Sequence, residues 1–155
     1  MDSQYFTFSP RVQQPLVSFV GNWATALSSA LLTSELAMPR RPENHYPQYH
    51  AHIYFGPSTV AQARQLAEDA GHSLLVVVGR VHERLVGPHP HWSCQIAFDA
   101  AEFDEVVEWL DARRNGLDIF VHGVTGDDYL DHTAHAMWLG NESTLDLRMF
   151  RKPAA

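Results

Sequence analysis

"QYHAHIYF" (residues 48 to 55) alternates with the period of a β-strand: Tyr49, Ala51, Ile53 and Phe55 share one face, His50, His52 and Tyr54 the other. The first face requires a hydrophobic core. The second carries a residue type in which this chain is unusually rich: 10 of its 155 residues are histidine, several times the usual share.

"GPS" closes this strand and Ser58 is placed as the N-cap of a helix from Thr59 to Ala70. Val60, Ala63, Leu66, Ala67 and Ala70 fall at helical spacing there, and Gly71 supplies the stop. "SLLVVVGRVHERLV" (73 to 86) reads as a strand with a buried, Val-rich first half. "GPHPH" (87 to 91) is a turn, because two prolines cannot sit in a central strand. "WSCQIAFD" (92 to 99) is the next strand. A helix follows from Ala101 to Arg114, with Phe103, Val106, Val107 and Leu110 inward and Gly116 ending it. "LDIFVHGV" (117 to 124) is a further strand, "TGDDYLDHTAHAMWLG" (125 to 140) a loop with a short helix, and "STLDLRMF" (143 to 150) an edge strand. The order β-α-β-β-α-β predicts an α+β, ferredoxin-like antiparallel sheet with both helices on one face. The open face is left for another subunit or for chain extensions to cover.

Upstream, "MPRRPENHYPQ" (38 to 48) reads as a linker and "PLVSFVGNWATALSSALLTSELAMP" (15 to 39) as an amphipathic helix over 16–36. The latter is too polar for a membrane span and lacks the basic lead of a signal sequence. The expected division is thus an N-terminal extension, 1–47, and a domain, 48–155.

Totals narrow the function. Hydrophobic residues at 45% and charged residues at 19% describe a globular domain. A formal charge of −7, with 11 scattered Lys and Arg, argues against nucleic acid. One cysteine, Cys94, rules out an intramolecular disulfide and fits a reducing cytoplasm. No phosphate-cradling glycine loop and no nucleophile elbow is present.

What remains is the histidines. In the ferredoxin-like order the first strand is central, with the last strand on one side and the third on the other. That order comes from the fold class, not from the residues. It sets His52 beside His122 and lets the turn with His89 and His91 fold over them, so three separate segments offer imidazoles to one region. Neutral imidazole is the commonest ligand of Fe, Zn and Cu. Asp127 and Asp128 could add a carboxylate, as ligand or as the acceptor orienting a ligating histidine. Taken singly, each residue has a plainer reading. His50 or His52 would be an ordinary strand residue; His45, His72 and His82 would face water; Trp138 and Leu139 would be core; Glu83, Asp104 and Glu105 would be solvated charges. His132 and His135 lie one helical turn apart, so one could face the site.

"YHAHIYF", "VHERLVGPHPHWSCQIAF" and "GLDIFVHGVTGDDYLDHTAHAMWLG" resemble, in order and spacing, the DOPA 4,5-dioxygenase family, over residues 48 to 142. Two features depart from it: "GVTGDD", where relatives often carry Pro and Asn before the Thr, and the region before Gln48. The resemblance implies a ferredoxin-like fold, a non-haem Fe(II) centre and extradiol cleavage of a catechol such as DOPA by O2. Zn(II) or another divalent metal could occupy the same ligands. Carried over, the iron ligands are His52, His89 and His122. His50, His91, His132 and His135 become candidates for acid–base work or substrate contact. Arg80, Trp92 and Asp128 are the expected substrate-binding residues, Arg80 as partner of an amino-acid carboxylate. The rival expectations are a zinc-dependent hydrolase and a non-enzymatic dimeric binding module; a cytoplasmic homodimer is the expected state.

Overall fold

β1 (Gln48–Phe55) forms where its alternation places it, at the centre of a five-stranded antiparallel sheet. A computed structural model of the chain describes residues 42–150; the expected helix over 16–36 lies outside them. The remaining elements are α1 (Val60–Ser73), β2 (Val77–His82), β3 (Trp92–Asp99), α2 (Phe103–Arg113), β4 (Ile119–Gly123), the one-turn α3 (Asp128–Asp131) and β5 (Ala136–Leu139). The strands stand in the order β2-β3-β1-β4-β5. The first four reproduce the 4-1-3-2 order of the expected α+β class, and β5 extends the sheet beyond β4. Among the described residues no helix is long and apolar enough to cross a membrane.

Both long helices pack on one face. Ala63, Leu66, Ala67 and Ala70 of α1 and Phe103, Val106, Val107 and Leu110 of α2 meet Tyr49, Ala51, Ile53, Cys94, Ile96, Ile119 and Val121 in one core. The apolar positions of both helices recur at i, i+3, i+4 and i+7, and burying that stripe drives the packing.

Several boundaries differ from the expectation, each for a local reason. The N-cap of α1 is Thr59, whose hydroxyl accepts from the Gly56 backbone N–H at 3.0 Å and so closes the preceding turn, and not Ser58. The helix continues through Gly71 to Ser73. A Cβ at Gly71 would stand 3.1 Å from Val78 Cγ2, so glycine there gives clearance against β2 and does not end the helix. β2 is shorter than expected and is not buried in its first half. It is an edge strand with Val77 exposed, and a register shift between Val78 and Val81 turns both valines toward the core. α2 is entered through a 3-10 turn, Ala100–Glu102, with a capping box between Asp99 and Glu102.

The largest correction concerns the C-terminal part. "AMWL" (136–139) is not helix or loop but the fifth strand, paired along β4 from Ile119↔Leu139 to His122↔Ala136. Its period-2 alternation sends Met137 and Leu139 to the core, while Trp138 stands with Phe120 on the other face. "STLDLRMF" forms no edge strand; the place beside β4 is already filled. Its end is a 3-10 turn, Leu147–Phe150, tied to the 83–91 loop by the Asp146 N–H to Pro88 carbonyl bond at 2.8 Å.

The described part of the expected linker is anchored. The fully buried Tyr49 hydroxyl accepts from the backbone N–H groups of His45 (2.6 Å) and Tyr46 (2.7 Å) and donates to Asn44 Oδ1 (3.0 Å). Tyr49→Phe keeps the ring and strands these partners. It should lower unfolding free energy by about 1–3 kcal/mol in urea titrations, with faster amide exchange at residues 44–46. An unchanged midpoint would show that water replaces the hydroxyl at no cost.

Candidate metal centre

The sheet face away from the helices receives the even-numbered side chains of β1, and with them the imidazoles. His50 stands directly across from His122 in the β1–β4 ladder. His52 is paired with Phe120 and reaches His122 on the diagonal, Nε2 to Nε2 at 3.3 Å with rings stacked 10° from parallel. One ligand nitrogen from each of His50, His52 and His122 lies within 4.8 Å of the others. His89 arrives from the 83–91 loop, buried, its ring centroid 4.1 Å from that of His52. His132, just after α3, packs on His122 at 4.5 Å. The structure therefore brings together His50, His52, His89, His122 and His132.

The donor set suits a cation. Two nitrogens each about 2.1 Å from one ion stand roughly 3.0–3.4 Å apart, which the His52–His122 separation satisfies. Nδ1–H of His122 donates to the Gly123 carbonyl at 2.8 Å, so its Nε2 carries a lone pair facing His52. His132 is held likewise, Nδ1–H to the Asp128 carbonyl at 2.8 Å.

Burial also favours the neutral form of His50, His52, His89 and His122. Desolvation lowers the pKa of His52 far below the usual imidazole range, and the neighbouring His89, His122, His50 and His132 lower it further. Burial brings His89 to about 4, reinforced by His132 and His122. Burial likewise brings His122 to about 4, against the opposing pull of its bond to the Gly123 carbonyl. His50, half-buried, is lowered by desolvation and by His132, with Asp131 working the other way. A neutral imidazole is the form that binds metal.

Other expected residues lie elsewhere. Trp92 packs in the core against Phe55, on the helix side of the sheet, because β3 alternation assigns it there. Arg80 is exposed in the β2 register shift, and β3 separates it from β1. Asp128 has an exposed carboxylate and contributes its backbone carbonyl to His132. Asp127 caps α3, and Glu83 pairs with Arg64 at 2.6 Å on the surface. His91 lies at the rim, exposed, bonded to Ser143 Oγ at 3.2 Å. His135 is held by Asp131 at 3.0 Å and packs on Tyr46.

Five residues contribute to the site in ways the sequence reading did not assign. Tyr54 bonds His89 Nδ1 at 2.7 Å; its place on the histidine face of β1 was the available signal. Asp131, buried, accepts from the Thr125 N–H and hydroxyl; its i,i+4 spacing to His135 was the signal there. Its own burial pushes the Asp131 pKa up, but the bonds from Thr125 and His135 outweigh this and hold it low. Phe120 and Trp138, 5.0 Å apart, wall the site with aromatic surface, and Phe150 covers His132 at 4.9 Å. On the other side a groove of about 320 Å3 opens beside His50, bordered by Gln48, Val77 and Ala97.

The sequence profile of the Dopa 4,5-dioxygenase family matches residues 49–149. A DOPA 4,5-dioxygenase of Amanita muscaria is 30% identical over 114 residues, covering 68% of this chain and 50% of that protein. An uncharacterized 21.2 kDa protein of Botryotinia fuckeliana is 31% identical over 81 residues, 47% of this chain and 44% of its own length. The chain thus spans about half the length of these curated relatives. The crystal structure of a candidate dioxygenase from Nostoc punctiforme superposes with a TM-score of 0.65 at 39% identity, covering 68% of this chain and 90% of that one.

The lowered imidazole pKa values set a pH dependence. Above the unfolded value of 6.5 both folded and unfolded chains hold these rings neutral and nothing is gained or lost. Below it the unfolded chain takes protons that the folded chain refuses, so stability falls as pH drops toward the folded value. The urea midpoint of metal-free protein should hold steady above neutrality and fall between pH 6.5 and about 4. His122→Asn should flatten the slope. A parent midpoint that is flat across that window would contradict a buried neutral cluster.

Proposed function

The chain belongs to the Dopa 4,5-dioxygenase family, and on that premise we propose that it is a non-haem Fe(II) dioxygenase opening the ring of a catechol in the extradiol manner. The observation that carries the reading is the convergence of His50, His52 and His122 nitrogens within 4.8 Å on one sheet face. His52 and His122 hold the metal, and a third imidazole, His50 or His89, completes the set. Fe(II) bound there would supply adjacent positions for a catecholate and O2 and carry electrons between them.

The protein's own part is positioning, exclusion of water and movement of protons. Trp138, backed by the buried Phe120 at 5.0 Å, offers flat aromatic surface beside the imidazoles for a planar ring to lie against. His132 has committed Nδ1–H to the Asp128 carbonyl and keeps an Nε2 lone pair next to His122, where it can take the proton of an arriving phenol. Asp131 stands behind this group as a buried carboxylate, favouring protonation of His122 and His50 electrostatically. His135, fixed by Asp131, and His91, at the rim, are placed for proton exchange with solvent. A homodimer in a reducing cytoplasm completes the reading; the free, buried Cys94 is compatible with it.

Protein stripped of metal, reconstituted anaerobically with Fe(II) and mixed with L-DOPA or protocatechuate, should turn yellow when O2 is admitted, as a muconic semialdehyde forms. Zn(II) should bind without turnover. Stoichiometric Fe(II) binding with no product from any catechol would sink the dioxygenase reading, and hydrolysis by the Zn(II) form would replace it. His52→Ala should weaken metal binding by more than about 100-fold, as expected for loss of a direct ligand.

A further inference from the structure

Resting on the metal-centre reading above, we infer that the third ligand is His50, and that His89 is a hydrogen-bond donor whose Nε2–H points at an oxygen of the bound substrate, held in that tautomer by Tyr54.

Tyr54 Oη and His89 Nδ1 are 2.7 Å apart, and both side chains are buried. A phenol is protonated at neutral pH, so this hydroxyl has one hydrogen to place. Were His89 Nδ1–H the donor, the Tyr54 O–H would need a second acceptor, and His89 is its only bonding partner among the described residues. Leaving that donor unpaired in a buried setting is costly, whereas donation to the Nδ1 lone pair satisfies it. A neutral imidazole carries one N–H, so the remaining proton of His89 sits on Nε2. An Nε2 that bears a proton has no lone pair for a metal.

His122 is held in the opposite state. Its Nδ1–H is spent on the Gly123 carbonyl, leaving Nε2 as a lone pair. The Nδ1 partners of the two rings, a backbone carbonyl for one and a side-chain phenol for the other, therefore sort a ligand from a donor. Geometry agrees: His50, His52 and His122 form the group whose ligand nitrogens lie within 4.8 Å of one another, and His89 does not join it. His50 is also placed by strand pairing, directly across from His122. His89 is carried instead by a loop, yet one held firmly over the cluster. Pro88 before it is buried, the Pro88 carbonyl accepts from Asp146 N–H at 2.8 Å, and His89 N–H bonds the Val86 carbonyl at 3.4 Å. Its ring lies 4.1 Å from His52 and 5.8 Å from His132, so its free edge borders the space where a molecule bound by the three ligands must sit. Tyr54 is then a positioning residue, acting only through His89.

The test uses metal-free full chain titrated with Co(II), whose visible spectrum reports the ligand set, and 4-nitrocatechol as the probe for the substrate position. His89→Gln and Tyr54→Phe should bind Co(II) within about 10-fold of the parent and with its spectrum, while His50→Ala should lose more than about 100-fold. On Co(II)-loaded protein, His89→Ala should weaken 4-nitrocatechol by about 10-fold or more; His89→Gln, which keeps an N–H, should recover part of that loss. Tyr54→Phe should fall between parent and His89→Ala. Circular dichroism of each variant checks folding, and Tyr54→Phe carries the test if both His89 variants unfold. Loss of Co(II) by His89→Gln as severe as that of His50→Ala, or a changed Co(II) spectrum, overturns the inference. So does 4-nitrocatechol binding that is indifferent to His89→Ala. Failure of the parent itself to bind Co(II) overturns the metal-centre reading, and this one with it.

Discussion

β1 is hydrogen-bonded along both edges, to β3 from Gln48↔Asp99 to Phe55↔Trp92 and to β4 from Tyr49↔Gly123 to Ile53↔Ile119. A strand fixed on both sides cannot rotate or slip, since a one-residue slip would exchange its two faces. Tyr49, Ala51 and Ile53 must therefore sit under the helices, and His50, His52 and Tyr54 must stand opposite. The rest of the site is arranged around those three side chains: His122 across from His50, His89 above Tyr54, and Phe120 beside His52.

Packing so many imidazoles together has an electrostatic consequence. Within a buried cluster a charged ring loses hydration and meets like charges, so His52, His89 and His122 remain neutral well below the pH at which exposed histidines protonate. Neutral rings still need their polar atoms placed. The Gly123 and Asp128 carbonyls take Nδ1–H of His122 and His132, and the Tyr54 hydroxyl meets Nδ1 of His89. These partners convert a group of interchangeable side chains into lone pairs and donors of defined direction.

The elements that were legible in the chain are those in which local pattern and tertiary demand agree. β1 and β3 are found at their expected limits, and the inward faces of α1 and α2 are the ones their spacing indicates. The errors share a physical cause. Gly71 has the chemistry of a stop, but the close approach of Val78 explains it better. The β2 segment has the composition of a buried strand, but lies at the edge, where half its side chains meet solvent. "AMWL" is too short for its alternation to be recognised, and becomes a strand because β4 offers a free ladder edge and the core accepts Met137 and Leu139.

From the sequence alone it follows that histidines cluster on one face of the first strand, opposite its apolar side. Histidines in period-2 register on a strand with an apolar reverse side must gather on the side away from the helices. The sequence also carried the family likeness, because the His-bearing segments keep their order and spacing. Only the tertiary structure decided which imidazoles meet and how each is oriented. That Trp92 belongs to the core, that Asp131 and not Asp127 or Asp128 is the buried carboxylate, and that Tyr54 pairs with His89 all follow from contacts between residues far apart in sequence or from turns of the α3 region. Tautomer and direction are properties of such contacts, and residue type alone cannot specify them.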